Sequence, residues 1–328
     1  MLLLTVLLWA LNFTVTKYAL EHGFHPLAYS TVRYFFGATI FAAITYRREG
    51  TFAVRRRDVA LLAAAAAVGI WLNQVCYVYA LSFTTATTVA LVLGATPIFA
   101  ALIARAVGLE RLGRQFWLAS AVSFAGVALI AAGGNEGEGF SASLKGVALS
   151  IATAATWAGY SVAVAPLMRR YSPFRISAIV LVLGWIPLAA SAAKQVSEQS
   201  LDLNWLTWLC VVYGVLGPLV LTNVLWFKSV DRVGPSHATL FANIQPFFAA
   251  IFAVVLLSEP LHPLQVAGGL AVLGGIAISR LRGERIRLGR APRVTAPSPD
   301  AAALAVARED GAPHPRGRGP GAETHGRT

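Results

Sequence analysis

The stretch TPIFAALIARAVGLERL, Thr96–Leu112, returns 149 residues later as QPFFAAIFAVVLLSEPL, Gln245–Leu261. Pro97 falls on Pro246. Phe99, Ala100 and Ala101 fall on Phe248, Ala249 and Ala250. Glu110 falls on Glu259, and Leu112 on Leu261. The register extends upstream, where Leu72 meets Leu221, Val75 meets Val224 and Tyr77 meets Trp226. Downstream, Gly126 meets Gly275. At a shift of 148, Trp9 and Ala10 meet Trp157 and Ala158. From Leu72 to Leu129 the match carries no gap, so chance explains it poorly. The chain is built from two copies of one unit.

The solvent for that unit follows from composition. Of 328 residues, 56% are hydrophobic and 13% charged, with a mean hydropathy of +0.63. A soluble chain of this length needs more charge to cover its surface. The apolar residues also run in stretches close to the roughly 20 residues that cross a bilayer core. Examples are Ala60–Leu81, Phe116–Ala132 and Val233–Leu257. The chain therefore reads as an all-α integral membrane protein in contact with the lipid bilayer. The first residues, MLLLTVLLWALN, lack a basic leader and a small-residue cleavage site, so they read as the first span.

Ten spans are expected, over approximately 2–20, 27–46, 59–82, 86–107, 114–132, 146–168, 174–193, 205–227, 234–257 and 263–281. Gly and Pro stand in or near several of the turns between them. With the N-terminus inside, the inner segments hold Arg47, Arg48, Arg55, Arg56 and Arg57; Arg105, Arg111 and Arg114; Arg169, Arg170 and Arg175; Lys228 and Arg232. The outer loops hold only Lys145 and Lys194. That asymmetry predicts cytoplasmic N- and C-termini. It also assigns the net charge of +12 to membrane orientation, not to nucleic acid. Residues 284–328, rich in Ala, Pro, Gly and Arg, read as a disordered basic cytoplasmic tail.

Each copy holds five spans, the first over 1–133 and the second over 146–282. Five is odd, so the second copy enters the membrane from the opposite side. Two inverted five-helix repeats are the arrangement of many secondary transporters, whose substrate site lies near the midplane between the repeats.

Polar and aromatic residues inside the spans are the candidate site. Trp9 and Asn12 on span 1, and Trp157 and Tyr160 on span 6, fall at comparable depths and offer flat apolar faces with hydrogen-bonding groups, which suits a small amphipathic solute. The plainer reading is lipid-facing or core aromatics. Pro97 and Pro246 kink spans 4 and 9 and free the carbonyls of Leu93 and Ala242 for a solute, water or protein partner. Asn243 and Gln245 stand beside the second. Gly217-Pro218 is a further hinge. Asn73 and Tyr77 on span 3 and Trp226 on span 8 complete the set, though intramembrane amides commonly join helix to helix. Tyr77 and Tyr79 are two apart and cannot share a helix face. Arg33 reads as a carboxylate-binding residue or an outer gate. Lys17 reads as snorkelling, or paired with Glu21.

The absences narrow the class. No Asp or Glu lies near the middle of any span, so a proton relay on a buried carboxylate is unsupported. No metal site, no cofactor, no phosphate-binding loop of Gly-Lys-Ser/Thr type and no nucleophile–base pairing is expected, so the chain does not read as an enzyme. Cys76 and Cys210 read as buried apolar residues.

These residues resemble a known family. WALNFTVTKYALEHGFHPLAYSTVRY, with Trp9, Asn12, Phe13, Lys17, Pro26 and Arg33, is similar to the opening of EamA-type members of the drug/metabolite transporter superfamily. The twice-repeated P–x–F–A–A … E–x–L … G pattern looks like the same family. The resemblance covers residues 1–282. It implies ten helices, an inverted pseudo-twofold and transport of small metabolites, often export of amino acids. The second copy departs from the opening: Tyr160 replaces Asn, and nothing matches Lys17 or Arg33.

The expectation is a plasma-membrane carrier that exports an amino acid or similar small-molecule substrate by alternating access, as a monomer or homodimer. The alternatives are uptake of a sugar-like or nucleotide-linked metabolite, and a non-transporting receptor or scaffold.

Overall fold

The computed structural model describes residues 1–108, 113–133, 140–233, 242 and 244–280. Residues Met1–Arg282 form one unit. The described residues are helical, with no strand among them. The tail expected over 284–328 lies outside them.

The helices are α1 (Leu2–Glu21), α2 (Pro26–Glu49), α3 (Arg56–Phe83), α4 (Ala86–Leu93), α5 (Thr96–Ala106), α6 (Arg114–Gly133), α7 (Phe140–Val164), α8 (Pro173–Glu198), α9 (Trp205–Val215, Leu216–Leu221 and Thr222–Val233), α10 (Gln245–Leu257) and α11 (Pro263–Arg280). Seven of these segments are long and apolar enough to cross a membrane. The pair α4 and α5, bent by 41° at its break, makes an eighth. Gln245–Leu257 and Pro263–Ile278 are shorter apolar helices. The first part of the expected ninth span falls outside the described residues.

Local sequence chemistry sets the ends. Pro26 and Pro173 occupy first-turn positions, where their missing N–H costs nothing. Thr85, Ser172 and Asn204 cap α4, α8 and α9 by accepting from the backbone N–H three residues on. Gly50 ends α2 in the left-handed conformation, φ +64°, which a residue without Cβ adopts at no steric cost.

The repeat seen in the sequence reappears in the element boundaries. Helices begin at Arg56 and Trp205, at Thr96 and Gln245, and at Arg114 and Pro263, each pair 149 positions apart. More specific still, α3 opens into a π-helical turn over Ala67–Leu72, and α9 does so over Leu216–Leu221, at the same spacing. A π turn widens the helix by one residue and is uncommon. Pro218 lies inside the second and cannot donate to the carbonyl four residues back, which fits a widened turn there.

Two helix pairs form the frame. α6 and α11 approach at backbone contact: a Cβ added to Gly126 would stand 2.6 Å from the Gly268 carbonyl oxygen, and one added to Gly268 would stand 2.5 Å from that of Gly126. Small residues permit such packing where lipid supplies no hydrophobic drive between helices. α2 and α8 also pack along each other and are clasped at both ends. Near Gly23, the Gln199 and Gln195 side-chain oxygens accept from the His25 and Leu27 backbone N–H groups, both at 2.7 Å. Near Arg55 the clasp is charged. Glu49 pairs with Arg175 at 2.7 Å and bonds Ser172; beside it Asp58, at the start of α3, pairs with Arg170 and accepts from the Tyr171 hydroxyl at 2.7 Å, tying α3 to the connection just before α8.

Candidate functional site

One buried polar cluster joins α1, α2 and α3. Arg33 lies seven residues after Pro26, about 10 Å along α2 at 1.5 Å per residue. Its Nη1 donates to the Asn12 side-chain oxygen at 3.0 Å. The Asn12 amide donates in turn to the Tyr77 hydroxyl at 3.0 Å. The guanidinium carbon lies 5.7 Å from the Tyr29 ring centre and 5.3 Å from that of Tyr34, within cation–π range. Arg33 is 4% exposed, and its Nε is buried without a hydrogen-bond partner. No carboxylate pairs with it among the described residues.

Trp9 closes one side. Its indole N–H donates to the Pro218 carbonyl at 3.3 Å, inside the second π turn, and its ring lies 5.3 Å from that of Trp226. The Tyr213 hydroxyl donates to the Leu8 carbonyl at 2.8 Å. α9 is thus tied to α1 through the residues that flank its π turn.

Asn73 sits in a second group. Its amide donates to the Thr153 carbonyl at 2.9 Å and the Thr156 hydroxyl at 3.0 Å, joining α3 to α7. Gln74 and Ser30 extend this chain to α2 at 3.4 and 3.5 Å. Tyr160 packs on the first π turn, where a Cβ on Gly69 would stand 2.3 Å from its ring. Trp157 lies 5.3 Å from the Tyr160 ring and is 43% exposed. Gln245 is half-buried at the start of α10. Asn243 lies outside the described residues.

Lys17 behaves unlike Arg33. It does not snorkel. It is buried and donates to the carbonyls of Leu81 at 2.9 Å and Thr84 at 3.1 Å, with Glu21 at 3.2 Å. It completes the end of α3, where carbonyls lack intrahelical donors. At the Pro97 break, the Leu93 carbonyl accepts from the Thr96 hydroxyl at 2.6 Å, so a protein group takes that acceptor. Tyr77 and Tyr79 face apart as expected, the latter accepting from Gln195 at 2.8 Å.

Sequence reasoning passed over Tyr29, Tyr34 and Tyr213. The one signal for Tyr29 was its place one turn before Arg33. Two apolar grooves also went unread. One, of about 360 Å³, lies between α10 and α11 and is lined by Phe247, Val254 and Leu270. The other, of about 490 Å³, lies between α6 and α7 and is lined by Phe124, Val127 and Ile151. Of the candidate residues only Pro246 borders either. No group of His, Cys, Asp and Glu among the described residues is placed to hold a metal ion.

The chain that folds into this bundle of apolar helices, with its recurring π turn and buried polar cluster, matches the EamA-like transporter family over residues 1–132 and 144–281. The chain belongs to that family. Within the EamA-like family its similarities run along most of its length. A protein of Streptantibioticus cattleyicolor, named a probable terminal-alkyne amino-acid exporter, is 27% identical over 90% of this chain and 96% of its own. A probable amino-acid metabolite efflux pump of Salmonella typhimurium is 26% identical over 87% and 95%. A transporter of Archaeoglobus fulgidus, named as uncharacterized, is 25% identical over 86% and 98%. A solved structure, described only as a crystal structure of protein, is similar with a TM-score of 0.59 and 18% identity over 86% of this chain and 96% of its own. That likeness concerns the fold alone. The protein is an integral membrane transporter of the EamA type.

Proposed function

We propose that this transporter is a secondary carrier that exports an amino acid or similar amphipathic metabolite across the plasma membrane by alternating access. Its ten spans act as two inverted five-helix repeats, with both termini cytoplasmic. The observation that carries the reading is the recurrence of the π turn and of a helix start with proline in its first turn, each 149 positions apart. Equivalent weak points in two halves are what a carrier needs if the halves exchange conformations about a shared site. The basic residues of the 2–3 and 6–7 connections support the orientation. Two relatives named as exporters of amino-acid compounds support the substrate class and direction.

In this reading Trp9, Asn12, Arg33, Tyr77 and Trp226 form the substrate-facing wall on α1, α2, α3 and α9. Asn73, Trp157 and Tyr160 form the wall on α3 and α7. Asn243 and Gln245 complete the set, and Pro97, Pro218 and Pro246 are hinges.

The test is flux in proteoliposomes loaded with labelled amino acids and sugars, with Trp157→Ala and Trp9→Ala beside the wild type. Saturable amino-acid efflux that both variants reduce supports the reading. Saturable flux of sugars alone overturns the substrate class, and flux untouched in both variants overturns the walls.

A further inference from the structure

Two cations lie within the helices of this bundle toward the same end, and they differ in one respect. Lys17 is saturated: two carbonyls and Glu21 take its ammonium. Arg33 is not. Its guanidinium carries five N–H donors in a planar fork. Its hydrogen bond to Asn12 goes to a neutral amide oxygen, and its Nε–H is buried with no partner. The four ion pairs among the described residues all lie elsewhere. Two tyrosine rings hold the guanidinium in place. On the α9 side Gly214 lets Arg33 and Tyr29 pack directly against the backbone: a Cβ there would stand 2.8 Å from Arg33 Cδ and 2.8 Å from the Tyr29 hydroxyl.

Burying a cation without a counter-charge is costly, and ring faces recover only part of that cost. A carboxylate recovers more, because its two oxygens match the arginine fork. Asn12 presents one oxygen of the right shape and no charge. Trp9 and Trp226 supply aromatic surface on the same helices, α1 and α9.

We propose that Arg33 is the carboxylate subsite of this carrier, and that the Asn12 side-chain oxygen occupies the subsite until a substrate carboxylate displaces it. This deepens the transport reading and rests on it. It narrows the substrate to small molecules carrying a free carboxylate beside an apolar body, such as unmodified amino acids, and excludes their amides and esters.

The experiment is Asn12→Asp, which builds the counter-charge into the chain. Tyr77 keeps its bond by turning its hydroxyl to donate. Unfolding midpoints in detergent are compared for the wild type, Asn12→Asp, Asn12→Ala and Arg33→Gln. Each is measured with and without millimolar L-leucine, L-threonine and L-phenylalanine, and with their amides. The proposal expects Asn12→Asp to melt several degrees above the wild type. It expects at least one of the acids to raise the wild-type midpoint while its amide does not. Neither Asn12→Asp nor Arg33→Gln should respond to that acid, and its efflux should fall at least tenfold in both. An Asn12→Asp midpoint below that of Asn12→Ala overturns the proposal. So does an equal response to acid and amide, an acid response retained in Arg33→Gln, or no acid response in the wild type. The midpoint comparison of the four unliganded proteins needs no substrate, so it judges the subsite even where flux defeats the transport reading.

Discussion

Ile70 and Leu219 stand 149 residues apart, and each drives an aliphatic side chain from a π turn into a glycine of the neighbouring helix. A Cβ on Gly184 would stand 2.4 Å from the Cβ of Ile70, and one on Gly37 would stand 2.0 Å from a terminal methyl of Leu219. The two contacts are related as the two repeats are, α3 against α8 and α9 against α2. They differ in what can give way. Gly184 also faces the Ala66 carbonyl at 2.9 Å, whereas Gly37 meets only the end of a leucine.

Gly184→Ala should therefore destabilise more than Gly37→Ala. Overpacking against fixed atoms costs about 1–3 kcal/mol, while a leucine end can rotate away. Unfolding midpoints of the two variants in the same detergent check the order. Equal midpoints would mean that the two π turns are equally yielding.

At the Gly126–Gly268 crossing the nearest atoms are backbone, which no side-chain rotation relieves. Gly126→Ala and Gly268→Ala each set a methyl against a carbonyl, so α6 and α11 must separate. We expect each to lower stability by about 1–3 kcal/mol, and the double variant to add little because the helices are already apart. A midpoint series of the two singles and the double measures it.

Glu259 joins the α10–α11 connection to the start of α4. Its carboxylate accepts from the Ala86 N–H at 2.7 Å, the Thr87 N–H at 3.0 Å and the Thr87 hydroxyl at 2.8 Å. Glu259→Gln removes the charge at a helix N-terminus and sets an amide donor against a donor. The loss should be about 1.5–3 kcal/mol, the range for hydrogen bonds to a charged group. Thr87→Val removes one of the three bonds and should cost less. Protease susceptibility near Ala86, read by mass spectrometry, reports the loosening directly.

Trp9→Phe keeps a ring against Trp226 but removes the N–H that binds the Pro218 carbonyl. Stability should fall by about 1 kcal/mol. If the second π turn is a hinge, efflux should change by more than that small cost explains, and initial rates in proteoliposomes check it. A rate within twofold of wild type would remove the Trp9–Pro218 bond from the transport cycle.

The helices were legible because a membrane core imposes one strong rule: long apolar runs with backbone bonds closed within each segment. The 149-residue register was legible because Pro97 and Pro246 punctuate it. The π turns were not. Ala67–Leu72 reads as ordinary apolar helix, and only Pro218 hinted at the second. The polar residue types of the cluster were visible, but their partners were not. Asn12 and Arg33 are 21 residues apart on different helices, and nothing local says which amide meets which cation. Lys17 was read against side chains alone. Its backbone partners, Leu81 and Thr84, became visible only once the end of α3 was placed beside α1. Thr96 shows the same blind spot, since its hydroxyl takes the Leu93 carbonyl that the proline break frees.

The clasps that hold α2 to α8 are of two materials. Near Gly23 the bonds run from backbone N–H groups to neutral glutamine amides, and near Arg55 the link is the ion pair of Glu49 with Arg175. Dissolved electrolyte bears on the second kind and hardly touches the first, and the burial of Arg175 and Glu49, 20% and 17% exposed, keeps the effect small. Raising the salt therefore acts on this helix pair at one of its two ends only. The protein carries a built-in polarity toward its ionic surroundings that two identical copies of one unit, by themselves, would not possess.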